Sequence, residues 1–530
     1  MKNHADYAGR ARPRPLASLV ALAAVQAAST HGVAQAAPGE SLGSMLLSEQ
    51  ALDRAVQRGD LPGRILPKAA PGASPQIDPQ TGKPYVSDPG PQPKSAPASD
   101  HVDQPYKGYG AAALEILGFQ AALNRFDNAF EGPDYHINMG TIRHNLHSSW
   151  VEDQDPFRIN QLGHPYQGSI YYNIARSNGL SFWESMGYSL AGSTVWEIAG
   201  ENTPPSRNDE ITTSFGGAFL GEALYRMANL VLEQGYGLPP GWRAGVAAGI
   251  SPALGFNRYV RPGKGSGLFA SNNPALYSRL QLGVSVPTAN HAGPSGAEKE
   301  NEYGADFLLD YGLPGKPGYE YHRPFDYFRF QLRATNVQGV EQLATRGLLF
   351  GAPYAAGREL RGVAGIYGSY DFLSPQLFRV ASTGVTLGTN LQWRASDGIV
   401  LQGHGSTGVG YTSTGTIQAS SDRQWHYGWA PQAMLSLRLI LGDKLLFDTT
   451  AQQFFDGKLT SNAPGGNDRV FRADASLTYR LYRNHAIALK YITSRRDFTF
   501  PNVINVSQRR DSIGLYYVYQ EAKGFGVVSW

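Results

Sequence analysis

Phe471-Arg472-Ala473-Asp474-Ala475-Ser476-Leu477-Thr478-Tyr479-Arg480-Leu481 is one stretch in which two kinds of surface alternate. Successive side chains of a β-strand point to opposite faces. Arg472, Asp474, Ser476, Thr478 and Arg480 therefore share one face, and Phe471, Ala473, Ala475, Leu477, Tyr479 and Leu481 share the other. A strand of a soluble sandwich is typically ~5–6 residues long. A tilted membrane strand needs ~9–11 residues, with lipid on one side and a polar lumen on the other. The stretch has the length and polarity of the second kind.

The same design extends on both sides of it. Leu435, Leu437, Leu439 and Leu441 alternate with Ser436, Arg438 and Ile440. Within Leu377 to Trp393, Val385, Leu387 and Leu391 oppose Ser382, Gly384, Thr386, Gly388 and Asn390. Phe328, Phe330 and Leu332 oppose Arg329, Gln331 and Arg333. Residues 241–530 thus read as a transmembrane β-barrel of about twelve antiparallel strands, ten and fourteen being the neighbouring even counts. Trp393, Trp425, Trp429, Tyr482 and the run Tyr516 to Tyr519 fall near strand ends, as interfacial aromatic girdles do. Arg329, Arg333, Arg438, Asp448, Arg472, Asp474 and Arg480 are expected to line the lumen, either as a mildly basic pore or as a closed network of pairs. The terminal Trp530 is the kind of residue such barrels present to their assembly machinery. Whether the last strand ends near Tyr519 or at Trp530 is open at this point.

Composition agrees. The 530 residues include 62 Gly, 23 Phe and 29 Tyr, only 17% are charged, and mean hydropathy is −0.32. A net charge of +3 without a basic block excludes a nucleic-acid partner. The absence of cysteine rules out thiolate metal sites and cysteine nucleophiles, and it suits passage through an oxidising periplasm. No cofactor is called for.

Lys2, Arg10, Arg12 and Arg14, the apolar Leu16 to Ala28, and Ala34-Gln35-Ala36 predict a signal peptide over 1–36. Residues 37–105, rich in Pro, Gly and Ala, read as a flexible periplasmic segment. Beyond the leader no run of ~20 apolar residues occurs; the best stretch, Leu180 to Gly200, contains Glu184 and Glu197. These features place the chain in the outer membrane, among lipid and lipopolysaccharide.

Residues 106–235 read as a mainly helical module. Ala111 to Phe130 has helical spacing, and the alternation of Tyr135 to Thr141 predicts a first strand. Pro165 opens one helix, which runs toward Arg176. Ser181 with Glu184 forms a capping box for a second helix, ending near Gly200. A third segment runs from Ser206 to Glu233, with Glu222 and Arg226 one turn apart.

This module carries Asp153-Gln154-Asp155-Pro156-Phe157, Asn160-Gln161, His164-Pro165-Tyr166-Gln167-Gly168, Ala175-Arg176-Ser177-Asn178-Gly179, Trp196-Glu197, Glu201, Pro205-Ser206, Asn208-Asp209 and Gly221-Glu222 with Arg226. In these residues, over about Phe130 to Glu233, the chain resembles the bacterial family known as domain of unknown function 3943. The resemblance implies an exported envelope protein and no established activity.

Two functional readings follow. In the first, the barrel has a transport, channel or envelope-maintenance role, and the helices act as a plug or as a docking element for a periplasmic protein. In the second, the protein is a lipid-modifying hydrolase, with His164 and Glu197 or Glu201 as a general-base pair and Ser193 or a water as nucleophile. A polar cluster of Asp153, Asp155, Asn160, Arg176, Asn208, Asp209, Glu222 and Arg226 surrounds these residues, and burial of helices requires such groups to be satisfied in any case. His144 and His147 with His136, and Glu152, Asp153 and Asp155, are the weaker metal-ligand sets, and no metal site is assigned. A secreted soluble β-protein is the remaining alternative.

Overall fold

The computed structural model describes residues 76–77, 84–85, 107–130, 132–153, 155–261, 269–291, 300–416, 425–456, 467–499, 506–520 and 524–530. The expected signal peptide lies outside these residues. So does nearly all of the segment 37–105, in which Gln76–Ile77 pairs with Pro84–Tyr85.

Twelve antiparallel strands close into a barrel. They are β1 Leu276–His291, β2 Glu302–Tyr311, β3 Phe328–Thr335, β4 Gly339–Ala356, β5 Leu360–Leu373 and β6 Phe378–Ser396. The circuit continues with β7 Ile399–Thr416, β8 Trp425–Leu441, β9 Leu445–Asp456, β10 Asn467–Tyr482, β11 His485–Thr499 and β12 Val506–Gln520. Each strand pairs with its sequence neighbours, and β12 pairs with β1 through Leu515↔Val284 and Tyr517↔Leu282. The barrel's two ends and the turns 357–359, 397–398, 442–444 and 483–484 share one rim, here called the turn rim. The opposite rim, here called the loop rim, carries the strand ends His291, Glu302, Thr416, Trp425, Asp456, Asn467, Thr499 and Val506.

The founding stretch lies in β10 with its polar face inward. Arg472, Asp474, Ser476, Thr478 and Arg480 are buried, while Leu477 is 46% exposed on the outer wall. Tyr482, Trp393 and Trp429 are exposed near strand ends, whereas Tyr516 faces inward and is buried. The last strand ends at Gln520, and Trp530 belongs to a separate tail.

The helices are α1 Tyr109–Phe130, α2 Met139–His147, α3 His164–Ser177, α4 Phe182–Ala199, α5 Arg207–Ile211, α6 Gly217–Gln234, α7 Pro240–Ile250 and α8 Pro252–Val260. Tyr135 to Thr141 is not a strand. Pro133–Tyr135 is a 3-10 turn, and Asn138 caps α2 in a reciprocal box with Thr141. Alternation over seven residues lost to this local cap, because the side chain of Asn138 accepts from the amides of Gly140 and Thr141. At α4 the capping box is present, Ser181 N donating to Glu184 Oε2 at 2.7 Å.

The helices do not enter the lumen. Asp306 and Asp310 of β2 and Arg329 and Arg333 of β3 point inward, so Phe307, Leu309, Tyr311, Phe328, Phe330 and Leu332 point outward. On a bare wall such residues are exposed, as Leu515 is at 64%. Here Phe328 and Phe330 are fully buried, in one apolar cluster with Tyr172, Phe182, Phe219, Leu220 and Met227 of the helices. Outward Phe372 of β5 meets Phe157 at 6.0 Å between ring centres, and Gly216 lies against Thr383 of β6 and Tyr370 of β5. The helical module therefore lies against the outer wall from β2 to β8, and a plug of the lumen is not what it forms. The physical reason lies in α6, where every residue from Gly217 to Leu232 is buried. A helix apolar nearly all round needs cover on every side. The polar lumen does not offer it, and the aromatic wall does.

Candidate functional site

Three polar regions carry the sequence's candidate residues. The first lies at the loop-rim end of the module. Two widened turns of π geometry, Ile159–Gly163 and Thr212–Gly216, lead into α3 and α6. Such turns recur at functional sites. Between them His164 Nδ1 lies 3.3 Å from Thr213 Oγ1, and His164 Nε2 lies 3.9 Å from Asp209 Oδ1. Asn208 donates to Asp209 Oδ1 at 3.0 Å and to the hydroxyl of Tyr427 at 2.9 Å. Gln161 also donates to Tyr427, at 3.0 Å, and its carbonyl accepts from Tyr370 at 2.5 Å. Asp153 donates its backbone amide to Asn208 Oδ1, and its carboxylate accepts from the amide of Asp155. Tyr427 and Tyr370 are outward residues of β8 and β5, so this cluster ties the helices to the wall.

Glu197 and Glu201 border the cluster. Glu197 accepts from the amide of Ser206 at 2.7 Å, and Glu201 accepts from Trp196 Nε1 at 2.6 Å. Burial, then the proximity of Asp153, pushes the Asp209 carboxyl well above its ordinary range. Burial raises Glu201 to about 7, against the opposing pull of His164. Ser193 is buried on α4 beside Glu210; the hydroxyl that meets His164 is that of Thr213. Sequence reading missed Thr213, which lies 49 positions from His164 and in no motif with it.

The second region is a buried charge network in the middle of the module. Glu222 binds Arg176 Nε at 2.9 Å, Arg226 Nε at 2.7 Å and the hydroxyl of Tyr172 at 2.9 Å. Arg226 Nη1 then reaches Asp326 Oδ1 at 3.0 Å in the connection between β2 and β3. Arg323 also pairs with Asp326, and the guanidiniums of Arg176, Arg226 and Arg323 lie 5.3, 4.6 and 4.4 Å from the ring centre of Phe269. The pair expected on a helix surface is thus a buried junction between α3, α6 and the barrel.

The third region is the lumen. Arg438 of β8 pairs with Asp310 of β2 at 2.6 Å, and Arg472 of β10 pairs with Glu341 of β4 at 2.7 Å. Each of these pairs joins strands half the circuit apart. Arg279 binds Asp448 at 2.6 Å and Lys490 binds Asp306 at 2.7 Å, with Asp474 3.8 Å from the same ammonium. Arg333 binds Glu341 at 2.8 Å, and Arg329 donates to Ser436 and lies 3.8 Å from Asp310. A cavity of about 20 Å³ remains beside Arg329, Arg346 and Gln452. Toward the turn rim the tail 524–530 folds inward. Phe525 and Val528 pack on Tyr277, Leu308, Tyr367 and Ile440, and Arg480 lies 4.2 Å over the Phe525 ring. Gln392 and Arg394 donate to Val528 O, and Gln402 donates to Gly526 O. Trp530 donates Nε1 to Arg358 O beneath Arg394.

Among the described residues no group of three or more His, Asp or Glu has a metal-holding arrangement. His147 instead bonds the carbonyl of Arg143.

Residues 149–253 match the family described as Domain of unknown function (DUF3943), at the stretch where the sequence shows its resemblance. No curated protein matches the chain. Solved structures similar to it include the outer membrane channel DcaP of Acinetobacter baumannii, at 8% identity, covering 46% of this chain and 96% of that one with a TM-score of 0.23. The KdgM porin is similar at 8% identity, covering 45% and 98% with a TM-score of 0.20. The toluene transporter TbuX of Ralstonia pickettii is similar at 11% identity, covering 47% and 90% with a TM-score of 0.21.

Proposed function

We propose that this chain is an outer-membrane protein in a transport role, and that the structure describes its closed state. One observation carries the reading: the lumen is lined by charged side chains along most of its length. An inert barrel core has no need of them, since replacing buried ion pairs by apolar packing is often neutral or stabilising. A route for polar solutes does need them. In this reading the cross-lumen pairs Arg438–Asp310 and Arg472–Glu341 are constrictions. The C-terminal tail is a removable stopper, held by hydrogen bonds and packing and not by strand pairing.

The test is planar-bilayer conductance. Full-length protein should give rare, small openings. Phe525→Ala together with Asp310→Asn should give steady conductance several-fold larger, and truncation after Gln520 should do likewise. Silence of all three folded proteins would sink the transport reading. It would favour a second one, supported by the same wall-to-wall pairs: a closed barrel that seats the helical module for an envelope-maintenance role.

A further inference from the structure

We infer that the helical module lies within the bilayer beside the barrel, with the outer surfaces of α1 and α4 against acyl chains. The inference rests on the outer-membrane reading above and goes beyond it, since the sequence reads the module as a plug or a periplasmic docking element.

Three observations converge. First, the long helices run parallel to the wall between its two rims. The loop-rim ends of α3 and α6 meet Tyr370, Thr383 and Tyr427, while Arg176 near the far end of α3 and Arg226 midway along α6 meet Phe269 and Asp326, next to the turn rim. The eighteen residues of α6 span ~27 Å at ~1.5 Å per residue.

Second, the module's outer surface continues the barrel's apolar belt. Leu114, Leu117, Trp183, Leu190 and Val195 are exposed on α1 and α4, as Leu477, Leu489 and Leu515 are on the bare wall.

Third, charge is confined to the two ends or to the interior. Toward the turn rim, Lys107 pairs with Glu184 at 2.8 Å and Arg261 pairs with Glu115. Toward the loop rim lie Arg125, Asp127, Glu197 and Glu210. Between these levels Ile116 to Asn124 and Ser185 to Trp196 carry no charge. The charges of α6 turn inward, into the Arg176–Glu222–Arg226 network. Exposed Trp242 and Tyr259 sit beside Arg243 and Arg258 near the turn rim, the amphipathic pairing found at headgroup level.

No helix among the described residues is long and apolar enough to cross a membrane alone. The wall removes that requirement, because it covers the polar and aromatic faces that lipid would otherwise meet. A water-exposed module would leave this surface as an apolar patch of the kind that soluble proteins avoid.

The chain's lack of cysteine makes the test direct. Leu117→Cys and Leu190→Cys on the module, and Leu477→Cys and Leu515→Cys on the bare wall, are each labelled with a polarity-sensitive fluorophore. The full-length proteins are reconstituted in phosphatidylcholine vesicles with acyl-doxyl lipid as quencher. Quenching at 117 and 190 within about twofold of that at 477 and 515 is the expected result. Quenching at 477 and 515 alone overturns the inference and leaves the membrane reading standing; if light scattering then shows a dimer, a second copy is the occupant. Quenching at none of the four overturns the membrane reading itself.

Discussion

Glu201 shows how one side chain ties the module's stability to pH. Its folded-state value of about 7 lies above the ~4.3 of an unperturbed Glu. The folded protein therefore holds a proton that the unfolded chain releases between these two values. Stability contributed by this group is fully present below pH ~4.3 and is lost as pH rises through about 7. Thermal melts followed by tryptophan fluorescence, which Trp196 reports through its bond to Glu201, should show a lower melting temperature at pH 8 than at pH 5. Glu201→Gln keeps an acceptor for Trp196 and should flatten that slope; an unchanged slope would assign the effect to Asp209. At Glu222 the expectation is different in kind. Glu222→Ala leaves two buried guanidiniums without their shared partner and should cost ~3–5 kcal/mol of module stability, measurable as earlier loss of helical signal in urea.

Helices α3 and α6 cross at glycines. A side-chain carbon at Gly168 would collide with the backbone of Thr213, and one at Gly217 with the backbone of Gly168 itself. Gly168→Leu should therefore open the helix pair and make the module sensitive to limited proteolysis, while the barrel stays resistant. If the module's fragment pattern were unchanged, the crossing would not be what holds it. The elements also show what the sequence does and does not disclose. Strands were legible because a polar lumen and an apolar wall impose period two on every residue, as in β10. The capping box at Ser181 and the start at Pro165 were legible because they are local. The fate of Tyr135 to Thr141 was not, since seven alternating residues suit a strand as well as a capped helix. The position of the helices was also hidden. Phe328, Phe330 and Leu332 look the same in sequence whether lipid or α6 covers them, and only their burial separates the two. The site was legible as a list of residues, and its partners were not. His164 meets Thr213 and Asp209, and Glu222 meets Arg176, through contacts 45 to 49 residues apart.

At the scale of the whole molecule, twelve strands leave no unpaired edge, so the barrel should survive detergent that loosens the helices. Unboiled protein on a denaturing gel should migrate differently from boiled protein. Glu222→Ala and Gly168→Leu should keep that shift, because their damage is confined to the module. Loss of the shift in either variant would mean that the wall depends on its cover.

The uncharged middle of α4 has a geometric consequence for the surroundings. Ser185 to Trp196 measures ~18 Å along the helix, shorter than the ~25 Å apolar band on the bare wall. With the module seated among acyl chains, the hydrophobic thickness presented to the bilayer differs from one flank of the protein to the other. Lipid adapts to such mismatch by thinning locally, at a cost that grows with each ångström. The molecule would then deform its membrane on one flank and leave the other undisturbed, which gives an otherwise round barrel a heading in the plane and a preferred direction from which neighbours approach.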